Sequence, residues 1–503
     1  MYARSWPSPS VQGGGAGASF VADHALWDPA RTAAAAEIEA GLDEVDFVRL
    51  VFGDPHGLAR SKTLTARAFR TALREGMNFS PGPFVFDTGH AVAVDFTGEH
   101  GTGVDEIAGA GNFVLVPDPL TFQLLPGDGP RTAWVIGDEY LRDGRPHPLS
   151  SRAVLRRTAA RYAEHNLSPV VGLEVEWYLT RRLDDAPGNT GNGFGLQGEA
   201  PRVAAVNAGY QFNLDAAYDT VAPLTDPLAL HLLQLGLPVR TMEHESGPGQ
   251  VETTFSPMSA LDVADAMLLF RTVTKRWCAR RGHHASFMSQ PRLDGADPSG
   301  WHLNQSVLDA DGRPLFAAGP AAGGLSPSGK AYAEGLLSFT RELCLLSVPS
   351  VNGYRRLAAG HPLAPTRPGL SVEDRTAMLR VVGTGAGARI ENRIGEPCAN
   401  PYLAVAAQLF AGLTGLTGDP AAEPAAEPAP PAGPAGLVPQ SLRESLEAFR
   451  AGRAAHLLGS PLAATLARLK ESELHRYEAW CLQAAPAPGQ VTAWEQREYF
   501  GTY

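Results

Sequence analysis

Lysine is nearly absent from this chain: only four lysines stand among its 42 basic residues, and no block of Lys and Arg occurs anywhere. With a net charge of −11, that shortage argues against nucleic acid or an anionic membrane as the main partner, because both are held through clustered cations. Cysteine is equally sparse. Cys278, Cys344, Cys398 and Cys481 are scattered with no C-x-x-C spacing, which argues against a disulfide framework or a zinc ribbon and points to a reducing cytosol. No apolar run approaches the ~20 residues of a membrane span, and the N-terminus lacks a basic region followed by an apolar one. The expected location is cytoplasmic.

At 503 residues the chain exceeds one ordinary core, so at least two domains are expected. Residues 1–30, rich in Gly, Ser, Pro and Ala, are expected to be a disordered lead. Across residues 31–140, short runs such as Val48 to Phe52 and Phe113 to Pro117 are punctuated by Gly, Pro and Asp, with one helix expected near Thr65 to Glu75. That pattern predicts a small α+β domain. Leu141 to Pro146 reads as a linker, and Ser150 caps a helix through His165. Residues 145–503 then form a large mixed domain with helices near 259–281, 327–346 and 401–417, an Ala/Pro-rich surface loop at 418–436, and a helical tail to about Trp480.

Three alternating charged strands carry the chemistry: Gly172 to Trp177, Gly300 to Ser306, and Ala388 to Ile394. Side chains of a strand alternate between faces, so Glu174 and Glu176, then His302, Asn304 and Ser306, then Arg389, Glu391 and Arg393, each line one face. Carboxylates and an imidazole beside arginines suit a site holding divalent metal, nucleotide phosphates and an acidic substrate.

In sequence order, these strands are joined by Val51-Phe52-Gly53-Asp54 with Gly57 and Lys62, Val116-Pro117-Asp118, His244-Glu245, Gly247 to Glu252, Asn352 to Leu357, and Ala399 to Leu403. From about Asp46 to Tyr499 this set resembles the glutamine synthetase family, in particular its γ-glutamyl amide ligases. The resemblance implies a small N-terminal β-grasp domain, and a large catalytic domain with a curved, mainly antiparallel sheet flanked by helices. It also implies ATP as a substrate and two or more Mg2+ or Mn2+ ions. One ion would take Glu176, Glu245 and Glu252, and the other Glu174, His302 and Glu391. By the same resemblance Arg356 and Arg393, with Ser299 and Gly300, face glutamate; Arg375 and Arg380 face the transferred phosphate; Ser306, Asn304, Arg389 and Arg380 face the nucleotide. Guanidinium groups suit these tasks because they pair bidentately with carboxylate and phosphate. Family members assemble as rings, so a homo-oligomer, a hexameric ring or a dodecamer, is expected.

Departures from the family pattern bear on the second substrate. Enzymes that use ammonia place an Asp in a Gly-x-x-Phe-Asp-Gly-Ser-Ser stretch, where this chain has Ser80 after Phe79. The Glu of their Arg-Leu-x-Pro-Gly-Tyr-Glu-Ala-Pro flap is missing from Arg356 to Pro365, and Asn112 replaces a further Asp. Those acids hold a cation and accept its proton, so their loss removes a tight ammonium site. The expected reaction is therefore an ATP-dependent ligation of glutamate to an amine other than ammonia, with Ser80, Asn112 and His361 lining the amine pocket and His361 a candidate base. Two alternatives stand beside it: a non-catalytic structural or regulatory relative, and the same chemistry on a different acid. The latter is motivated by Asp297-Pro298-Ser299-Gly300, where the family has Asn-Gly-Ser-Gly.

Overall fold

The computed structural model describes residues 19–96, 101–127, 129–183, 198–318, 324–357, 362–418 and 436–503. Ordered backbone starts before the end of the lead expected over 1–30. Ser19 caps a helix Phe20–Asp23, and Asp28 caps a second, Pro29–Gly41, by accepting from the Arg31 N–H. Such caps satisfy the free N–H groups of a helix start, a local effect that average composition hides. Residues 1–18 lie outside the described residues.

The small domain is built on β1 (Phe47–Gly53), whose Val48, Leu50 and Phe52 are fully buried. Phe52 packs edge-on against Phe79 and Phe113, with ring centroids 5.0 and 5.5 Å away. The remaining strands are β2 (Ala59–Thr65), β3 (Met77–Phe79), β4 (Phe113–Pro117), β5 (Gln123–Leu125) and β6 (Thr132–Tyr140), in the order β2-β1-β6-β4-β3 with β5 also on β6. Only β1 and β6 run parallel. Thr65 caps the helix Ala66–Glu75 directly after β2, and Gly76, at φ +65°, turns the chain back into β3. A parallel central pair with antiparallel arms and one helix is a β-grasp arrangement.

The large sheet is organised by β7 (Ser168–Arg182), a strand of 15 residues. The others are β8 (Val203–Ala205), β9 (Val239–His244), β10 (Gln250–Phe255), β11 (Met258–Ser259), β12 (His283–Ser286), β13 (Trp301–Leu308), β14 (Leu370–Val372), β15 (Leu379–Val382) and β16 (Arg389–Gly395). Their order is β14-β15-β16-β13-β7-β10-β9, with β8, β11 and β12 also paired to β7. Only the β14–β15 pair is parallel. Helices Ala260–Ala279, Pro327–Ser347 and Pro401–Thr417 fall where expected. An additional helix, Asp215–Gln234, was hidden in the sequence by its internal Pro223 and Pro227. The C-terminal helix runs on to Ala484, and two short turns, Ala493–Glu495 and Gln496–Phe500, follow it. Among the described residues no helix is long and apolar enough to cross a membrane.

Two of the sequence motifs turn out to join the domains. Asn400 caps the helix Pro401–Thr417 through its Oδ1, while its Nδ2 donates to the Asp54 and Pro55 carbonyls at 3.0 and 3.2 Å. Gly57, at φ +74°, lies so close that a Cβ there would stand 2.6 Å from the Asn400 Cα. A second bond across the joint is electrostatic. Buried Arg152 donates to Asp118 and Asp138 of the small domain and to Asp265 of the large one, at 3.0, 2.5 and 2.6 Å. Burial alone would raise Asp118, but Arg152, Arg156 and Arg31 outweigh it and hold this carboxyl at about 2.

Candidate active site

Strand register gathers the charged side chains into three adjacent rows on one face of the large sheet. Glu243, Glu252 and Glu176 stand side by side across β9, β10 and β7. Two residues along, Thr254, Glu174 and His302 form the next row across β10, β7 and β13. Gly172, Asn304, Glu391 and Arg380 form the third, across β7, β13, β16 and β15. The ladder shifts register at His302, because Trp301 pairs with Gly395 but Leu303 with Asn392. A bulge of this kind re-aims a side chain.

Ligand-type atoms of Glu174, Glu252 and His302 all lie within 4.8 Å of one another. His302 Nδ1 is 2.7 Å from Glu174 Oε1 and 3.4 Å from Glu391 Oε1, while its Nε2 is 3.9 Å from Glu176 Oε1. Gln250 Nε2 donates to Glu176 Oε2 and to Ser299 Oγ, both at 3.0 Å. Arg393 and Arg380 occupy the two oxygens of Glu391 at 2.6 and 3.1 Å. Arg356 places Nη2 at 3.2 Å from His302 Nε2. That approach requires Gly300, since a Cβ there would be 2.8 Å from the Arg356 Nη2.

The charges divide the face into two ends. Burial, then the neighbouring Glu174, Glu176, Glu245 and Glu243, push the Glu252 carboxyl up to about 11. Burial and the same crowding raise Glu245 to about 8, and burial raises Glu176. Burial opposes ionisation of Glu174 too, but His302, Asn304 and Arg393 outweigh it and bring this group to about 2. Clustered carboxylates that repel one another in this way are a demand for a cation. Hard oxygen donors with one imidazole fit Mg2+ or Mn2+. The other end is cationic: Arg356, Arg380, Arg389 and Arg393 face it, and buried Nε atoms of Arg380 and Arg393 have no partner among the described residues. Arg389 Nε donates to Asn304 at 2.9 Å. Alongside runs a cavity of about 390 Å³ lined by Glu174, Asn304, Ser306, Arg240 and Arg389, which Gly172 leaves open by having no side chain.

The catalytic domain model "Glutamine synthetase, catalytic domain" matches residues 148–488. The chain is 37% identical over 500 residues, 96% of its length and 98% of the relative's, to a γ-glutamylanilide synthase of Acinetobacter sp. It is 30% identical to a γ-glutamylethanolamide synthetase, GlnA4, of Streptomyces coelicolor, covering 91% of this chain and 93% of that one. To a glutamine synthetase of Methanosarcina mazei it is 32% identical over 74% of this chain and 76% of that one. A solved structure described as apo GmaS without ligand superposes with a TM-score of 0.70 at 26% identity, over 92% of this chain and 98% of that one. The chain belongs to the glutamine synthetase family. Its fold is the glutamine synthetase fold, and as a member it is a carbon–nitrogen ligase.

On this glutamine synthetase framework the residues expected at the site are unevenly gathered. Glu174, Glu176, Glu252, His302, Glu391, Arg356, Arg380, Arg393, Ser299 and Gly300 meet directly or through one neighbour. Glu245 adds its charge to Glu252, and Asn304, Ser306 and Arg389 line the cavity. Arg375 is exposed in the turn before β15 and has no partner among the described residues. Ser80 and Asn112 flank the Phe79–Phe113 pair that ends the β3–β4 ladder, and both are exposed. His361 and the loop 419–435 lie outside the described residues. The sequence alone assigns Gln250 and Tyr178 no role. Tyr178 donates to the Asp297 carbonyl at 2.6 Å and accepts from the Asp297 N–H at 2.8 Å, pinning the segment that leads to Gly300. The signal for Gln250 was present: it stands two residues before Glu252 on the same strand face.

Proposed function

We propose that this protein is an ATP-dependent ligase that joins the γ-carboxyl group of glutamate to an amine other than ammonia, and that the amine is aromatic. One observation carries this reading. The carboxylates and the arginines Arg356, Arg380, Arg389 and Arg393 converge on one face of the large sheet, while by the family resemblance Ser80 and Asn112 replace the acids of ammonia-using members. An arylamine is uncharged at neutral pH, so it needs neither a cation pocket nor an acid to hold an ammonium ion. The relative named a γ-glutamylanilide synthase, similar over nearly the whole chain, supports the same class.

In the first step the γ-phosphoryl group of ATP passes to the glutamate γ-carboxylate, giving γ-glutamyl phosphate and ADP. The amine nitrogen then attacks the acyl carbon, phosphate leaves, and the nitrogen loses one proton. Arg356 and Arg393 orient glutamate, Arg380 balances charge on the phosphate in transfer, and Asn304, Ser306 and Arg389 hold the nucleotide. Glu176, Glu245 and Glu252 on one side, and Glu174, His302 and Glu391 on the other, would hold two divalent ions. Bound there, these would neutralise phosphate oxygens and favour in-line displacement. The family resemblance supports a homo-oligomeric ring as the working form, located in the cytoplasm, in which Ser80 and Asn112, exposed at the edge of the small sheet, would face the carboxylates of a second copy.

The test is a panel of aniline, ethanolamine and ammonia, read by ADP release and by product mass. The expected result is ADP formation requiring Mg2+, glutamate and aniline together, with a product of glutamate plus aniline minus water. Turnover with ammonia alone, or with no amine, would sink the proposal.

A further inference from the structure

Glu495 closes the short turn Ala493–Glu495 and is fully buried, though it lies far along the chain from the catalytic rows. Its two oxygens accept four hydrogen bonds: Oε1 from Arg355 Nε at 3.0 Å and Asn352 Nδ2 at 3.1 Å, Oε2 from Arg355 Nη2 at 2.9 Å and the Thr492 N–H at 2.8 Å. That fills the acceptor capacity of a carboxylate. The Thr492 bond belongs to a capping box, in which Thr492 Oγ1 accepts from the Glu495 N–H at 3.1 Å. A helix cap does not call for the other three.

Those three bonds go to the turn Asn352–Arg355, which leads directly into Arg356. Arg356 Nη1 donates to the Arg393 carbonyl at 2.7 Å, so a fork that fixes Arg355 also fixes the backbone from which Arg356 reaches β16. Asn352 is fully buried, and its amide grips Gln290 twice, accepting from the N–H at 2.7 Å and donating to the carbonyl at 3.0 Å. Next to Gln290, the Ser289 carbonyl accepts from the Ser299 N–H at 2.7 Å, and its Oγ donates to the Ser299 carbonyl at 3.0 Å. Gly300 follows. Two neighbours of Glu495 repeat the pattern: Gln496 Oε1 accepts from the Arg292 N–H at 2.8 Å, and the Tyr499 hydroxyl from the Val351 N–H at 3.2 Å. One carboxylate thus links the backbone before Arg356 to the loop before Ser299 and Gly300.

Taking glutamate to lie between Arg356 and the Ser299–Gly300 backbone, a reading on which this inference rests, we propose that Glu495 is a positioning residue for the acid substrate. Through Arg355 and Asn352 it sets the separation of those two walls. Charge is required as well as shape. A glutamine there would turn an NH2 group towards one pair of these donors, and the largely buried Arg355 would lose its counter-charge. A wall displaced by about 1 Å misplaces the acid, while the nucleotide cavity, which none of these residues lines, keeps its shape.

The test titrates the full chain by calorimetry, with ADP at saturating Mg2+ and then with glutamate at saturating Mg2+ and ADP, in wild type, Glu495→Gln and Arg355→Lys. No amine is present, so the outcome is independent of which amine the enzyme uses. In Glu495→Gln the glutamate Kd is expected to rise about ten-fold or more, with the ADP Kd unchanged. Arg355→Lys keeps a charge opposite Glu495 but loses the planar fork, so a smaller rise in the same direction is expected. That variant carries the test if Glu495→Gln fails to fold. If Glu495 merely stabilised the C-terminus, fewer chains would be competent to bind, and stoichiometry would fall with both Kd values unchanged. A glutamate Kd equal in wild type and variants, or a rise shared by glutamate and ADP, would overturn the proposal. Wild type that binds ADP but no glutamate would overturn the glutamate reading, and this inference with it.

Discussion

At the scale of single residues, Glu252 and Gly300 do opposite jobs. Burial and its acidic neighbours resist the charge of Glu252, and the direction of that shift fixes the sign of a pH effect. A carboxyl raised from its ordinary 4.5 to about 11 keeps its proton in the folded chain while the unfolded chain has lost it. Stability in the absence of metal therefore falls as pH climbs above about 4.5, and Glu245 adds the same trend up to about 8. Glu174, depressed to about 2, has given its full contribution above pH 4.5 and does not alter that slope. Thermal melts at pH 6 and pH 8.5 should show a larger stabilisation by Mg2+ at the higher pH. Glu252→Gln should flatten the metal-free slope and abolish most of the Mg2+ gain; an unchanged slope would show that Glu252 does not carry the effect. Gly300→Ala forces a Cβ to 2.8 Å from the Arg356 Nη2 and 3.0 Å from the His302 Nε2. Displacing both groups should lower kcat by about 10²-fold, the scale expected for a 1 Å misplacement, with melting temperature little changed. The charged residues of these rows were legible in the sequence because strand side chains repeat every two residues. Gln250 and Tyr178 were not, because a neutral side chain that holds a charged one in place looks like any other polar residue until its partner is known.

Among elements, the joint between the two sheets gives a role to motifs that the sequence alone leaves without one. Gly53-Asp54 with Gly57, and Ala399 to Leu403, carry only part of the family resemblance in one dimension. In three dimensions they pack on each other and tie the start of the helix Pro401–Thr417 to the β1–β2 turn. Asn400→Ala removes a helix cap worth about 1 kcal/mol and two bonds across the joint, each worth about 0.5–1.5 kcal/mol. The expected loss is about 2–4 kcal/mol, measured as a lower melting temperature, with kcat retained in the molecules that stay folded. A fall in kcat at unchanged melting temperature would instead place Asn400 in the catalytic chemistry. The Arg152 network behaves differently because it is ionic and buried. Arg152→Ala leaves Asp118 and Asp265 without their main counter-charge, a loss of about 3–5 kcal/mol. Asp118 sits below its ordinary 3.8, so in wild type its share of stability is complete above that pH and is lost only as pH falls towards about 2. Sequence periodicity could not expose this network, since it draws its members from elements far apart in the chain.

For the molecule as a whole, what matters is that the two halves of the proposed site lie at different ends of one chain. The activation machinery lies on the large sheet, whereas Ser80 and Asn112 sit exposed at the edge of the small one. If a neighbouring copy completes each site, a lesion in the small domain and one in the large domain damage different partners of the same interface. Ser80→Trp should block the amine pocket, and Arg393→Gln should disable glutamate binding, so each variant alone is expected to be inactive. When the two are co-assembled at equal amounts, each head-to-tail interface draws its two contributors independently, and one combination in four contains neither lesion. Activity should then return to about a quarter of wild type, as a heterologous ring interface requires. Mass photometry on the same samples would confirm that mixed rings had formed. If mixed rings form and no activity returns, Ser80 serves the site of its own chain and the shared-site arrangement fails.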